Sequence, residues 1–74
     1  MPLKTLPYRE VKRRLESAGF SIVSQKGSHV KFKLVTAFGE RIAIVPKRKK
    51  GVLAGTIGGI LKQTGISVEE WDEL

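Results

Sequence analysis

The spacing of apolar residues along the chain changes from helical to strand-like and back again. In the first segment, apolar side chains recur at the spacing of one helical face at Tyr8, Val11, Leu15 and Ala18. Basic residues lie between them, and Pro7 suits the first turn of a helix. Gly19 followed by Phe20 is typical of a left-handed helix end. This pattern predicts a first helix that ends near Gly19.

Three strand-like segments follow the first helix. We predict strands over Phe20–Lys26, His29–Val35 and Arg41–Val45, with turns at Gly27–Ser28 and Thr36–Glu40 and a stop at Pro46. The second strand alternates an apolar row with a polar one: Val30, Phe32 and Leu34 against His29, Lys31 and Lys33. Because alternate residues of a strand share a face, the apolar row is expected to face the core. In the third strand Ile42 and Ile44 are two residues apart and therefore share a face, which is predicted to be the core side. Arg41 is then expected on the open face, beside the polar row of the second strand.

Helical spacing returns after the basic loop Lys47–Gly51. One stripe is formed by Leu53, Ile57, Ile60 and Leu61 and predicts a second helix, which ends at Gly65. Ser67 and Glu70 have the spacing of a capping box, so a short third helix is expected, with Trp71 folding back onto the body. The predicted fold is a single α+β domain over residues 1–74, with the order α-β-β-β-α plus a short C-terminal helix. Its three antiparallel strands carry helices on one face.

Charge is unevenly distributed over the 74 residues. Residues 1–62 carry all fourteen basic side chains and only three acids, whereas residues 63–74 carry four acids. A body with that excess attracts polyanions, and nucleic acid is the leading candidate. A solvated surface or an acidic protein partner are the alternatives that charge alone leaves open. With no cysteine, no membrane-spanning run and no signal peptide, a soluble cytoplasmic protein is expected.

The chain has one histidine, His29. One histidine and a few clustered acids do not supply a metal site or a Ser-His-Asp triad, and no phosphate-binding glycine loop is present. An exposed imidazole among cations is able to take the proton of a ribose 2′-hydroxyl, while lysine or arginine neutralises the charge that grows on the phosphate. The alternative is a surface histidine that only fills a polar position.

Several short motifs together resemble the HicA family of toxins. They are Gly19-Phe20, the K-G-S-H run from Lys26 to His29, Val45-Pro46, and G-T-I-x-x-I-L-K-Q-T-G-I-S from Gly55 to Ser67. The resemblance implies a fold like that of double-stranded-RNA-binding domains and an mRNA interferase activity that cuts transcripts without the ribosome. The cleavage chemistry described for the histidine requires no metal, and no cofactor is expected. The resemblance also implies a HicB-type antitoxin that covers the active site.

Carried onto this chain, the resemblance makes His29 the catalytic residue and Gly27 and Ser28 the turn that presents it. The residues expected to bind RNA are Lys26, Lys31, Lys33, Arg41, Lys47, Arg48, Lys49 and Lys50. Two positions depart from the family pattern, since Val30 replaces a frequent second histidine and Gly58 a frequent arginine. Val30 is interpreted as a core residue. The basic residues of the first helix, Lys12, Arg13 and Arg14, either extend the RNA track or only solvate the helix.

Two alternatives from other functional classes remain. One is a non-catalytic RNA-binding module in which His29 only contacts RNA. The other is a helix-turn-helix formed by residues 60–74, which join two short helices through a glycine. The acids of the second of these helices disfavour entry into a DNA groove, so DNA contact is expected only through an antitoxin complex.

Overall fold

The computed structural model describes residues 3–74 and has the element order α-β-β-β-α-α. The elements are α1 Tyr8–Ser17, β1 Ser21–Lys26, β2 His29–Thr36, β3 Gly39–Pro46, α2 Ala54–Thr64 and α3 Val68–Glu73. The strands form one antiparallel sheet in the order β1-β2-β3. The predicted α+β fold class is therefore confirmed, with each strand boundary within two residues of its predicted place.

The end of α1 sets the direction of the chain into the sheet. The amide of Phe20 donates to the carbonyl of Leu15 at 2.9 Å, and the amide of Gly19 donates to that of Glu16 at 3.0 Å. Gly19 has a φ of +99°, the left-handed conformation that this pair of hydrogen bonds requires. Leu15 and Phe20 are both buried, so the same turn that ends the helix also contributes to the core.

The hydrophobic core lies between the helices and one face of the sheet. Its sheet side consists of Val30, Phe32, Ala43 and Val45. Its helix side consists of Val11, Leu15, Ile57, Ile60, Leu61 and Trp71. The alternation predicted for β2 is confirmed, because Val30 and Phe32 are fully buried while His29 is exposed. Within residues 3–74, no helix packs on the opposite face of the sheet.

The predicted phase of β3 was wrong. Ala43 and Val45 face the core, whereas Ile42 and Ile44 lie on the open face and are 37 % and 39 % exposed. Residues 42–45 are all apolar, so both phases place two apolar side chains in the core, and alternation alone does not choose between them. The register is set by the tight turn that pairs Thr36 with Gly39.

The loop before α2 is held by the N-terminal segment. Leu6 and Val52 exchange two backbone hydrogen bonds, of 3.1 and 2.7 Å, and the Thr5 hydroxyl accepts from the amide of Ala54 at 3.3 Å. Leu53 precedes the helix at its N-cap and is 60 % exposed, so its predicted place on the helical stripe was wrong. The other three members of the stripe lie in the helix and are buried.

The short helix α3 is attached to α1. The Ser67 hydroxyl accepts from the amide of Glu70 at 3.1 Å, which confirms the predicted cap, and Trp71 is 1 % exposed. The Arg14 guanidinium lies 5.2 Å from the centre of the Trp71 ring and donates to the Trp71 carbonyl at 3.0 Å. Arg13 donates to the Leu74 carbonyl at 3.2 Å. These two arginines therefore hold the C-terminal helix in place.

The helices formed within residues 3–74 are too short or too polar to cross a membrane.

Candidate functional site

The site begins at a two-residue turn. Lys26, the last residue of β1, pairs with His29, the first residue of β2, and Gly27 and Ser28 form the turn between them. Gly27 has a φ of +59° and Ser28 a negative φ, the combination of a type II′ turn, which matches the right-handed twist of the strands. The Gln25 side-chain amide donates to the Gly27 carbonyl at 3.1 Å. The imidazole of His29 is thus placed beside a tight turn at the corner of the sheet, exposed to solvent.

The open face of the sheet combines basic and apolar side chains. Lys31 and Lys33 share this face with His29, since alternate residues of a strand point the same way. The residues opposite them, which share the face, are Lys26, Ser24 and Ser21 from β1 and Pro46, Ile44 and Ile42 from β3. Three of the predicted RNA-binding lysines, those of β1 and β2, are therefore on the same face as the histidine.

Arg41 is not on that face. It pairs with Leu34, in the row that faces the helices, and its guanidinium lies beside Gly65 at the end of α2. A Cβ atom at Gly65 would lie 3.3 Å from the Arg41 Nη1 atom. The predicted grouping of Arg41 with His29 was wrong for the same reason as the phase of β3. Arg41 lines a pocket with Gln63 and Phe38 at the end of the sheet away from His29.

Two of the predicted RNA-binding lysines have other contacts. The Lys33 ammonium lies 2.6 Å from the carboxylate of Glu40. The Lys47 ammonium lies 5.5 Å from the centre of the Tyr8 ring, in a cation–π contact at the start of α1. Burial, with a smaller effect of the Glu16 charge, raises the pKa of Tyr8 above its ordinary value of 10.0.

The rest of the basic loop is free to contact a ligand. The Lys47 amide donates to the Ser28 carbonyl at 2.6 Å, so the loop starts beside the turn that carries His29. Arg48, Lys49 and Lys50 are exposed, and within residues 3–74 none of them is within 4.0 Å of a carboxylate. The structure thus brings these cations and His29 to one corner of the molecule.

An exposed apolar row is the feature that sequence reasoning missed. Ile42 and Ile44 of β3 continue on the same face into Val35 of β2, and Phe38 is fully exposed at the turn between these strands. No clear signal for this row is present in the sequence, because residues 42–45 are all apolar and the two-residue turn that pairs Thr36 with Gly39 fixes which of them face outward.

The two departures from the expected motif lie in different environments. Val30 is fully buried and contacts the core, which confirms its interpretation as a core residue. Gly58 is in α2, where an added Cβ atom would lie 3.6 Å from the Leu3 side chain. That distance is an ordinary van der Waals contact, so the packing around a Cβ atom does not by itself require glycine at this position.

Comparison with known protein families gives a match that covers most of the chain. Residues 8–66 match the family described as HicA toxin of bacterial toxin-antitoxin. No curated protein is similar enough to the chain to count as a match. The matched region runs from the first residue of α1 to just beyond α2, and includes the turn, His29 and the basic loop. Since this region is most of the chain, the protein belongs to the HicA toxin family.

Proposed function

We propose that this toxin is an mRNA interferase, an endoribonuclease that acts in the cytoplasm and uses His29 as its general base. The observation that carries the proposal is the position of the one histidine. It is exposed at a tight turn, on the sheet face that no helix within residues 3–74 covers, with Lys26 opposite and Lys31 two residues along. A strand of RNA has room to lie across this face.

The chemistry uses groups that the RNA and the sheet supply. A neutral ring nitrogen of His29 takes the proton of a ribose 2′-hydroxyl, and the 2′-oxygen attacks the adjacent phosphorus. Lysine ammonium groups on the same face stabilise the charge that develops on the phosphate oxygens. The 5′-oxygen leaves, and the products are a 2′,3′-cyclic phosphate and a 5′-hydroxyl end.

The basic loop provides the substrate contact away from the reacting bond. Arg48, Lys49 and Lys50 attract RNA phosphates regardless of sequence, and the hydrogen bond between Lys47 and Ser28 keeps them near the histidine. Lys33 and Arg41 are less suited to this role than expected. The former is paired with Glu40, and the latter lies on the other side of the sheet.

The partner that we propose for the apolar row is a HicB-type antitoxin. Exposed aliphatic side chains next to lysines fit a protein surface with an apolar centre and an acidic rim. Ile42 and Ile44 lie directly opposite Lys33 and Lys31, so a protein seated on them would also cover His29. Any DNA contact of the toxin would then arise through the antitoxin complex.

A helix-turn-helix function is not supported by the geometry. The second helix of that motif would be α3, which has six residues and is packed against α1 through the buried Trp71. Its exposed side chains are Glu69, Glu70, Asp72 and Glu73, which would face DNA phosphates with like charge.

The test compares wild type with His29→Ala and His29→Gln, both at an exposed position where folding is not at risk. Wild type is expected to arrest growth on induction and, once purified, to cut RNA and leave cyclic phosphate ends. The variants are expected to lose about 10²–10⁴-fold in cleavage rate while they still bind RNA. Binding without cleavage by wild type would instead favour the non-catalytic RNA-binding module.

A further inference from the structure

We propose that Lys26 is the general acid that protonates the leaving 5′-oxygen. This inference rests on the ribonuclease function proposed above. The reaction needs two proton transfers, and one histidine accounts for only the first. The group that completes the reaction should lie on the same face as His29, close to it, and carry a proton that it is able to release.

Lys26 meets these conditions through its place in the hairpin. It pairs with His29 across β1 and β2, in the last pair before the turn. Directly opposed residues of antiparallel strands share a face, and their Cβ atoms are roughly 4.5–5.5 Å apart. Both side chains are exposed. The left-handed Gly27 holds this pair together, because it closes the turn in only two residues.

The other cations near the turn are less suited to the role. The Lys33 ammonium is paired with Glu40 at 2.6 Å, and that of Lys47 lies on the Tyr8 ring, near the start of α1. Lys31 is on the correct face, but it follows His29 on the same strand at about 6.4–6.8 Å, two residues at 3.2–3.4 Å each. Its partner across β1 is Ser24.

The geometry of the reaction favours a base and an acid that lie on two different strands. In-line attack places the 2′-oxygen and the 5′-oxygen on opposite sides of phosphorus, so base and acid must approach from two directions. His29 on β2 takes the 2′-hydroxyl proton as the new bond from oxygen to phosphorus forms. The bond from phosphorus to the 5′-oxygen breaks, and the Lys26 ammonium gives its proton to that oxygen. Exchange with water then returns both side chains to their starting states.

The experiment uses two chimeric oligonucleotides with a single ribonucleotide. One has the natural 5′-oxygen at the scissile bond and the other has sulfur in its place, because a thiolate leaves without being protonated. Single-turnover rates are measured for wild type, Lys26→Met, Lys26→Arg and Lys31→Met. The last variant removes the same charge from the same face, and serves as the matched control.

With the oxygen substrate, Lys26→Met is expected to be about 10²-fold slower than wild type. With the sulfur substrate it should come within a few-fold of wild type. Lys26→Arg should behave in the same way, because a guanidinium keeps its charge but does not release its proton. Lys31→Met should show the same ratio of sulfur to oxygen rates as wild type, whatever its effect on binding.

Equal losses on both substrates for Lys26→Met would overturn the inference, as would a Lys26→Arg variant that cuts the oxygen substrate at the wild-type rate. Either result would mean that Lys26 contributes only its positive charge and not a proton. The proposed nuclease function would be unaffected. Failure of wild type to cut either substrate, or full activity of His29→Ala, would instead overturn the proposed function.

Discussion

The backbone amide of Lys47 donates a 2.6 Å hydrogen bond to the carbonyl of Ser28, which ties the basic loop to the turn that carries His29. His29 itself lies opposite Pro46, the residue before the loop. Loop and turn are far apart in the sequence, yet the register of β2 and β3 makes them neighbours. Cations proposed to bind an RNA strand are thus placed beside the group proposed to act on it.

Replacing Arg48, Lys49 and Lys50 together by alanine should weaken RNA binding for all sequences alike. Each phosphate contact on single-stranded RNA contributes about 0.7 to the slope of log affinity against log salt, so the slope should become shallower by about 2. Binding is measured at several salt concentrations in the His29→Ala background, which avoids cleavage. Lys62→Ala, in the last turn of α2, is the control. A slope that does not change would contradict the role of the loop.

Ile44→Ser should separate neutralisation by the antitoxin from toxicity. Ile44 is 39 % exposed, so its loss should leave the fold intact but remove a contact at the centre of the proposed interface. We expect the affinity for a cognate HicB-type antitoxin to fall by 10-fold or more, on the order of 1.4 kcal/mol. Binding is measured by titration, and rescue of growth by co-expression.

The control for this substitution is Leu53→Ser, which changes an apolar residue that is 60 % exposed but lies before α2 and not on the sheet. If the antitoxin binds the Ile44→Ser variant as tightly as the Leu53→Ser variant, the apolar row is not its binding site.

Trp71→Ala should destabilise the protein by about 3–5 kcal/mol, the range for removing a buried aromatic side chain. Trp71 is 1 % exposed and carries the contact of α3 with Arg14, although α3 lies beyond the region that matches the family. Urea denaturation followed by circular dichroism measures the change, and Trp71→Phe should lose less. An unchanged midpoint for Trp71→Ala would mean that α3 adds nothing to stability.

Glu10 should make the stability of the protein depend on acid pH. Hydrogen bonds from Arg13 and Arg14 lower the pKa of Glu10 from 4.5 to about 2. Because the folded state favours the ionised carboxylate, this contribution is fully present above pH 4.5 and is lost as the pH falls towards 2. Glu10→Gln should therefore be less stable than wild type at pH 7, and the difference should vanish near pH 2.

The comparison for Glu10 is made by urea denaturation at low salt, since salt screens an exposed ion pair. Added salt should reduce the difference at pH 7. A difference between wild type and Glu10→Gln that stays constant down to pH 2 would show that the arginine contacts do not contribute through charge.

Much of the fold was predictable from local features. Gly19 and Gly27 mark a helix end and a tight turn, because both positions need a backbone conformation that other residues rarely adopt. The alternation through β2 has one basic row and one apolar row, so only one assignment of its faces buries apolar side chains. The sequence therefore predicted correctly that His29 lies at an exposed turn.

The tertiary structure decided the rest. In β3 the run from Ile42 to Val45 is apolar throughout, so the face that each residue takes depends on its pairing with β2 and not on its own pattern. That pairing put Arg41 on the helix side and an apolar row beside the histidine. Likewise, the contact of Arg14 with Trp71 joins residues 57 positions apart, a separation at which short-range spacing carries no information. Local preferences determine where elements begin and end, whereas the choice of neighbours is made by packing.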